Sequence, residues 1–219
     1  MLETVGLRKE FYLGKEVIKA VDGVDLKIEK GEFLCIVGPS GCGKTTLLGL
    51  LGGLERPTEG EVILDGKKYS ECNENLLSEM RRRKIGFVFQ FLNLLPNLTA
   101  YENIILPMKL IKKGDAREKT KELLNLVGLS DRAKHKPSEL SGGEQQRVAI
   151  VRALANDPDF ILVDEPTGDL DTKTGKKIID LLGKLNREKN QSFVVVSHDV
   201  KFKRYANRIL KMKDGRIEG

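Results

Sequence analysis

Cysteine and histidine are scarce in this chain. The three cysteines, Cys35, Cys42 and Cys72, form an odd set with no metal-ligand spacing. That pattern excludes a closed disulfide framework and a zinc module. The opening "MLETVGLRKEF" carries no secretory signal, so a reducing, cytoplasmic setting is expected. Long apolar runs are also missing. "FILV" and "FVVV" fall far short of the roughly 20 residues that a membrane-spanning helix needs, so the chain is not expected to enter a bilayer by itself. No repeat, low-complexity tract or Pro/Gly/Ser-rich linker divides it. A single domain of residues 1–219 is the expectation.

Charge, by contrast, is plentiful. The 38 Lys and Arg against 32 Asp and Glu leave a formal charge of +6. The lysines are spread along the chain rather than gathered in a stripe, so a solvated surface is expected and nucleic acid is not. The local cluster "RRRK" (Arg81 to Lys84) could equally face an acidic partner or lipid headgroups.

Four short apolar runs read as buried strands: "FLCIV" (33–37), "IGFVF" (85–89), "FILVD" (160–164) and "SFVVVS" (192–197). Their near-continuous hydrophobicity predicts a parallel sheet covered on both faces. Helical periodicity intervenes, with Ile178, Ile179, Leu182 and Leu185 on one face, and Leu123, Leu124 and Val127 on another. "AVDGVDLKI" and "GEVILDGKKY" alternate around turn signals and predict an antiparallel opening. Asn93 to Asn156 reads as almost wholly helical. The expected fold is an α/β core (1–92 and 157–219) with an antiparallel β region and a helical insertion (93–156).

"GPSGCGKT" follows the first buried strand and opens a helix. It matches the phosphate-loop pattern, whose glycines let backbone N–H groups converge on phosphate oxygens at a helix N-terminus. Gly38, Pro39, Ser40, Gly41, Cys42, Gly43, Lys44, Thr45 and the following Thr46 are the expected nucleotide contacts. Lys44 is assigned to the β/γ-phosphates and Thr45 to Mg²⁺. "FILVDEP" ends a strand on Asp164 and Glu165. Two adjacent acids at a buried strand end are costly unless a cation or a reaction needs them. Asp164 suits the metal, and Glu165 suits polarisation of an attacking water, which favours hydrolysis over binding alone.

A second glycine pair opens another helix in "ELSGGEQQR", Glu139 to Arg147. A helix cap accounts for Ser141, but not for two glycines at the expense of helix stability. The ordered set of phosphate loop, Gln90, "LSGGEQQR", "FILVDEP", "GDLD" and "SHD" resembles the nucleotide-binding subunit of ATP-binding cassette (ABC) transporters over essentially the whole chain. The resemblance implies that two subunits pair head to tail, each ATP lying between the phosphate loop of one and the signature of the other. Ser141, Gly142, Gly143 and Glu144 would then serve the partner's nucleotide. Gln90 matches the glutamine that contacts metal and catalytic water. His198 matches the histidine that bonds the γ-phosphate, while His135 carries no assigned role. Asp171 lies in the loop that crosses to the partner's site, and Asp169 adds an unusual charge there. The aromatic residue that stacks on adenine is Phe11, with Tyr12 as the alternative, because a one-residue register shift swaps their faces.

The segment "FLNLLPNLTAYENIILPM" after Gln90 resembles the subgroup of lipoprotein-releasing, macrolide-exporting and cell-division cassettes. It implies an integral membrane permease as partner, received around Leu94, Leu95, Pro96 and Tyr101, and a location on the inner face of the cell membrane. The chain ends at "MKDGRIEG", where many importers of the family continue into a regulatory domain. Export or lipoprotein and peptide extrusion is the expected task, with cell-division-type regulation of a membrane partner, or a non-transport ATPase of the same family, as the alternative.

Overall fold

The four apolar runs become the centre of one sheet. In the computed structural model, which describes residues 1–218, β3 (Phe33–Val37), β6 (Ile85–Val88), β7 (Phe160–Asp164) and β8 (Ser192–Ser197) run parallel. With β9 (Arg208–Lys213) and β10 (Arg216–Glu218) they give the order β10-β9-β3-β8-β7-β6. Strand side chains alternate between faces, and here the alternation sorts them into two cores. Phe33, Cys35, Ile161, Val163, Phe193 and Val195 pack on one side, and Leu34, Ile36, Phe160, Leu162, Val194 and Val196 on the other. All twelve are essentially inaccessible, at roughly 1.5–3 kcal/mol for each large side chain buried. Two-sided burial is why these runs lack polar alternation.

A second sheet, β2-β1-β4-β5, is antiparallel throughout, as the turn signals require. It comprises β1 (Leu2–Leu13), β2 (Glu16–Ile28), β4 (Glu59–Leu64) and β5 (Lys67–Lys68). Its inner residues, among them Leu2, Leu7, Val24 and Ile28, share the second core with helix α1 (Lys44–Leu51). The β1–β2 hairpin turns at Gly14 (φ 62°) and exposes Phe11, Tyr12, Leu13, Val17 and Ile18 near its tip.

Between Asn93 and Asn156 the regular elements are α3 (Ala100–Leu110), α4 (Ala116–Leu126), α5 (Gly142–Leu154) and short 3₁₀ turns. Helix α6 (Thr172–Lys189) then covers the sheet with Ile178, Ile179, Leu182 and Leu185 buried, the face its periodicity predicts. Helix α2 (Glu74–Lys84) has no counterpart among the sequence expectations: Leu77 is its one buried residue, so periodicity gives it no stripe. The "RRRK" cluster ends this helix and is largely answered within the chain. Arg81 pairs with Glu74 at 2.7 Å, Arg83 with Glu79 at 3.1 Å and Lys84 with Asp159 at 2.7 Å. Neither an acidic partner nor a lipid surface is needed to explain it.

Candidate active site

Parallel strands present their carboxyl ends along one edge, where such sheets bind ligands. The register sets Val37 beside Ser197 and Asp164 beside Val196, so the loops leaving β3, β7 and β8 meet there. The loop after β3 is pressed from both sides by backbone. A Cβ on Gly43 (φ 102°) would lie 1.9 Å from the Ala20 carbonyl oxygen, and one on Gly38 would lie 2.1 Å from that of Met212. Only glycine fits at either position. Lys44 opens α1 and is 7% exposed. Its Nζ donates to the carbonyls of Gly38 and Pro39, both at 2.9 Å, so the loop wraps its own ammonium. Cys42 is buried beside it, Sγ 3.9 Å from Nζ.

Thr45 Oγ1 donates to Asp164 Oδ1 at 3.2 Å. Burial pushes the Asp164 carboxyl above its ordinary range; the Thr45 hydrogen bond opposes this, the Glu165 charge adds to it and Lys44 again opposes. A desolvated carboxylate beside a hydroxyl is short of positive charge. Glu165 follows with φ 42°, an uncommon conformation for a residue with a side chain. Its N–H donates to Val196 O at 3.0 Å. Its Oε2 accepts from Ser197 Oγ at 3.0 Å and from the His198 N–H at 3.3 Å, and the His198 ring Nδ1 lies 3.0 Å away.

Beside these groups opens one cavity of about 760 Å³. Ser40, Gly41, Gly43, Lys44, Thr45, Thr46, Gln90, Glu165 and His198 all border it. So do Val17 to Ala20 from β2, with Asp214 and Gly215 from the β9–β10 turn, which no local motif marks. Phe11 borders instead a smaller cavity of about 230 Å³, which shares Thr45 and Thr46 with the first and includes Asp164. Lys9 Nζ sits 5.1 Å above the Phe11 ring. Tyr12 borders neither cavity.

The signature stands apart. None of Ser141, Gly142, Gly143, Glu144 or Asp171 borders the cavity of its own chain. Ser141 caps α5 in a reciprocal box with Glu144: Ser141 Oγ accepts from the Glu144 N–H at 3.4 Å, and the Ser141 N–H donates to Glu144 Oε2 at 2.8 Å. The same bond from the Ser141 N–H holds the Glu144 carboxyl below its usual range. A Cβ on Gly143 would come 2.4 Å from Thr174 Cγ2, whereas one on Gly142 would meet only Leu170 at 3.4 Å. Close packing of α5 on α6 gives Gly143 a reason beyond the helix cap. Gly142 keeps no such reason. Asp171 caps α6, accepting from the N–H groups of Lys173 (2.9 Å) and Thr174 (3.1 Å), and the Thr174 bonds hold its carboxyl low.

Sequence reasoning missed Arg152. Its guanidinium, carried by α5, donates to Leu92 O at 2.7 Å and to Asn93 O at 2.5 Å, tying the segment after Gln90 to the signature helix. Leu92 (φ 58°) and Asn93 (φ 48°) are both left-handed there. The available signal was an arginine between the buried apolar residues Val151 and Ala153.

A family model described as "ABC transporter" matches residues 21–168. An "Uncharacterized ABC transporter ATP-binding protein" of Thermotoga maritima is 50% identical, over 100% of this chain and 94% of its own length. The "Lipoprotein-releasing system ATP-binding protein LolD" of Hyphomonas neptunium is 45% identical over 99% of this chain and 96% of its own. Among solved structures, the "Dimeric structure of a post-hydrolysis state of the ATP-binding cassette MJ0796 bound to ADP and Pi" superposes with a TM-score of 0.93. That protein, from Methanocaldococcus jannaschii, is 47% identical there, covering 100% of this chain and 97% of the other. Motifs, fold and relatives agree, and the chain belongs to the ABC transporter family as one of its ATP-binding cassettes.

Proposed function

We propose that this cassette hydrolyses ATP as a head-to-tail homodimer around two Mg-ATP and drives a separate membrane permease. The observation that carries the reading is the split of the site. One cavity gathers the phosphate loop, Gln90, Glu165 and His198, while "SGG" of the same chain lies outside it. A second copy supplies what is missing, its Ser141 hydroxyl and Gly143 N–H facing the γ-phosphate from the open side. Lys44 exchanges its two carbonyl partners for β/γ-phosphate oxygens. Glu165 orients the attacking water and accepts its proton, and His198 holds a γ-phosphate oxygen. Of the two aromatic candidates, Phe11 fits adenine stacking better, since it borders a cavity that Thr45 and Thr46 also line.

The donor set suits Mg²⁺ bound together with nucleotide. Thr45 and the desolvated Asp164 stand side by side. Among the described residues no three His, Cys, Asp or Glu side chains group to hold a metal alone. Thr45, Asp164 and Gln90 would complete their set with phosphate and water oxygens. When bound, the ion neutralises charge on the β- and γ-phosphate oxygens.

No described helix is long and apolar enough to cross a membrane. For the permease, a groove of about 430 Å³ lies between β6, α3 and α5, with Leu54, Phe87, Phe89, Leu95, Leu106 and Leu110 on its walls. Leu95 is the one member of the expected contact group there; Leu94 and Tyr101 pack against the core. An amphipathic cytoplasmic helix of the permease would suit such a groove, and the proposal sets the cassette peripherally on the inner membrane face. The lipoprotein-releasing relative supports extrusion as the task. We assign 1–92 and 157–219 to the nucleotide-binding core and 93–156 to the signature region of a single domain, with no nucleic-acid partner.

The reading is tested by mixing two inactive variants. Lys44→Ala loses the phosphate loop and Gly142→Asp loses the signature. A heterodimer of the two has one intact composite site, so hydrolysis should reappear on mixing. No recovery at any ratio contradicts a site shared between copies.

A further inference from the structure

We propose that Ser197 is the positioning residue for Glu165, a reading that rests on the hydrolytic role of Glu165 given above. Ser197 ends β8 and is fully buried, directly after the apolar residues Phe193 to Val196. Burying a hydroxyl at a strand end is unfavourable unless it is hydrogen-bonded. Here it is bonded twice: Ser197 Oγ donates to Glu165 Oε2 at 3.0 Å and accepts from the Asp199 N–H at 3.0 Å. The acceptor bond directs the hydroxyl proton toward Glu165. Strand pairing fixes the distance between the two, because β7 and β8 are in parallel register up to Asp164 beside Val196, and the Glu165 N–H bonds to Val196 O at 3.0 Å.

The carboxylate of Glu165 is otherwise poorly constrained. Its other partners, the His198 N–H and ring, come from the loop beyond β8, and the His198 side chain is 71% exposed. The imidazole must also leave Glu165 whenever it turns to a γ-phosphate. Ser197 remains, because it belongs to the sheet. It holds Oε2 and leaves Oε1 as the edge offered to water in the cavity that Glu165 borders. An orientation error of about 1 Å at a reacting group costs on the order of 100-fold in rate, so a fixed donor at this point acts on turnover and not on nucleotide affinity.

The test compares Ser197→Ala, Ser197→Cys and Ser197→Thr with wild type and with Glu165→Gln, measuring ATP affinity and steady-state hydrolysis separately. Ser197→Ala should lower kcat by about 10- to 100-fold, the range for losing one hydrogen bond to a charged group, and leave ATP affinity within about twofold, the difference between a transition-state and a ground-state loss. Ser197→Thr, which keeps the hydroxyl on a strand that tolerates β-branching, should restore turnover. Ser197→Cys fills the same volume with a weak donor, should fall between them, and answers the question if Ser197→Ala does not fold. Adding Ser197→Ala to Glu165→Gln should change the residual rate by less than about twofold, since both act through one carboxylate. Wild-type kcat in Ser197→Ala or Ser197→Cys, or full additivity with Glu165→Gln, overturns the assignment. If Glu165→Gln itself hydrolyses ATP normally, the role of Glu165 fails, and the positioning proposal with it.

Discussion

Replacing Gly143 by alanine separates what the signature glycine does for its own chain from what it does for a partner. The added methyl would lie 2.4 Å from Thr174 Cγ2, well inside van der Waals contact, and overpacking of this kind costs about 1–3 kcal/mol. Alanine at a helical position returns up to about 1 kcal/mol relative to glycine. The expected net loss is about 1 kcal/mol, or roughly 2–4 °C in melting temperature for a domain of this size. Thr174→Ala removes the opposing methyl. In a double-mutant cycle followed by thermal and denaturant unfolding, the pair should couple by at least about 1 kcal/mol, with Gly143→Ala/Thr174→Ala more stable than Thr174→Ala alone. Additivity within about 0.4 kcal/mol would refute the packing account. Hydrolysis by the double variant then reports the second function. Restored stability with ATPase still well below wild type leaves the partner's nucleotide as the remaining reason for glycine, whereas full recovery reduces Gly143 to a packing residue.

Lys44→Ala should abolish productive ATP binding, measured by calorimetry, because a point charge is lost from the phosphate loop; unchanged affinity would overturn the assignment of that loop. Asp164→Asn should abolish hydrolysis yet raise the melting temperature of the nucleotide-free protein. The sign follows from burial, which holds the folded carboxyl above its unfolded value: ionisation opposes folding, the cost is absent well below the unfolded pKa, and it grows as pH rises through the folded one. The variant's advantage should therefore vanish in acid, and a melting gain independent of pH contradicts the cause given. Arg152→Ala should detach the segment after Gln90 from α5 and expose it to limited proteolysis, since two carbonyls lose a charged donor; an unchanged cleavage pattern would show that the brace is dispensable.

Much of this was legible in the residues. "FILVD" and "SFVVVS" coincide with β7 and β8 because strands covered on both faces have no reason to alternate. The phosphate loop declared itself because the pressure of Ala20 and Met212 on its backbone leaves glycine as the only choice. Other features are set by contacts between distant segments and leave no local trace. The Gly143–Thr174 approach joins α5 to α6, and Lys19 and Asp214 reach the cavity from two different sheets. Ser197 was read as part of a motif when its position beneath Glu165 depends on the register of two strands. Helix α2 escaped notice for the opposite reason: it buries too little to carry a pattern.

The central claim is that two copies complete one another's sites, and Glu165→Gln tests it most directly. On the proposed reading Glu165 faces the γ-phosphate in the closed state, where water is scarce, so the substitution removes both the base and a like-charge repulsion. Size-exclusion chromatography with light scattering, with and without Mg-ATP, is the measurement. Glu165→Gln should be monomeric without nucleotide and accumulate as a dimer holding ATP, and adding Gly142→Asp should return it to monomer. Gly142 is the cleaner position for that carboxylate, since a side chain there meets only Leu170 at 3.4 Å in its own chain. A Glu165→Gln protein that binds ATP yet stays monomeric at high concentration, or a double variant that still dimerises, would contradict the account.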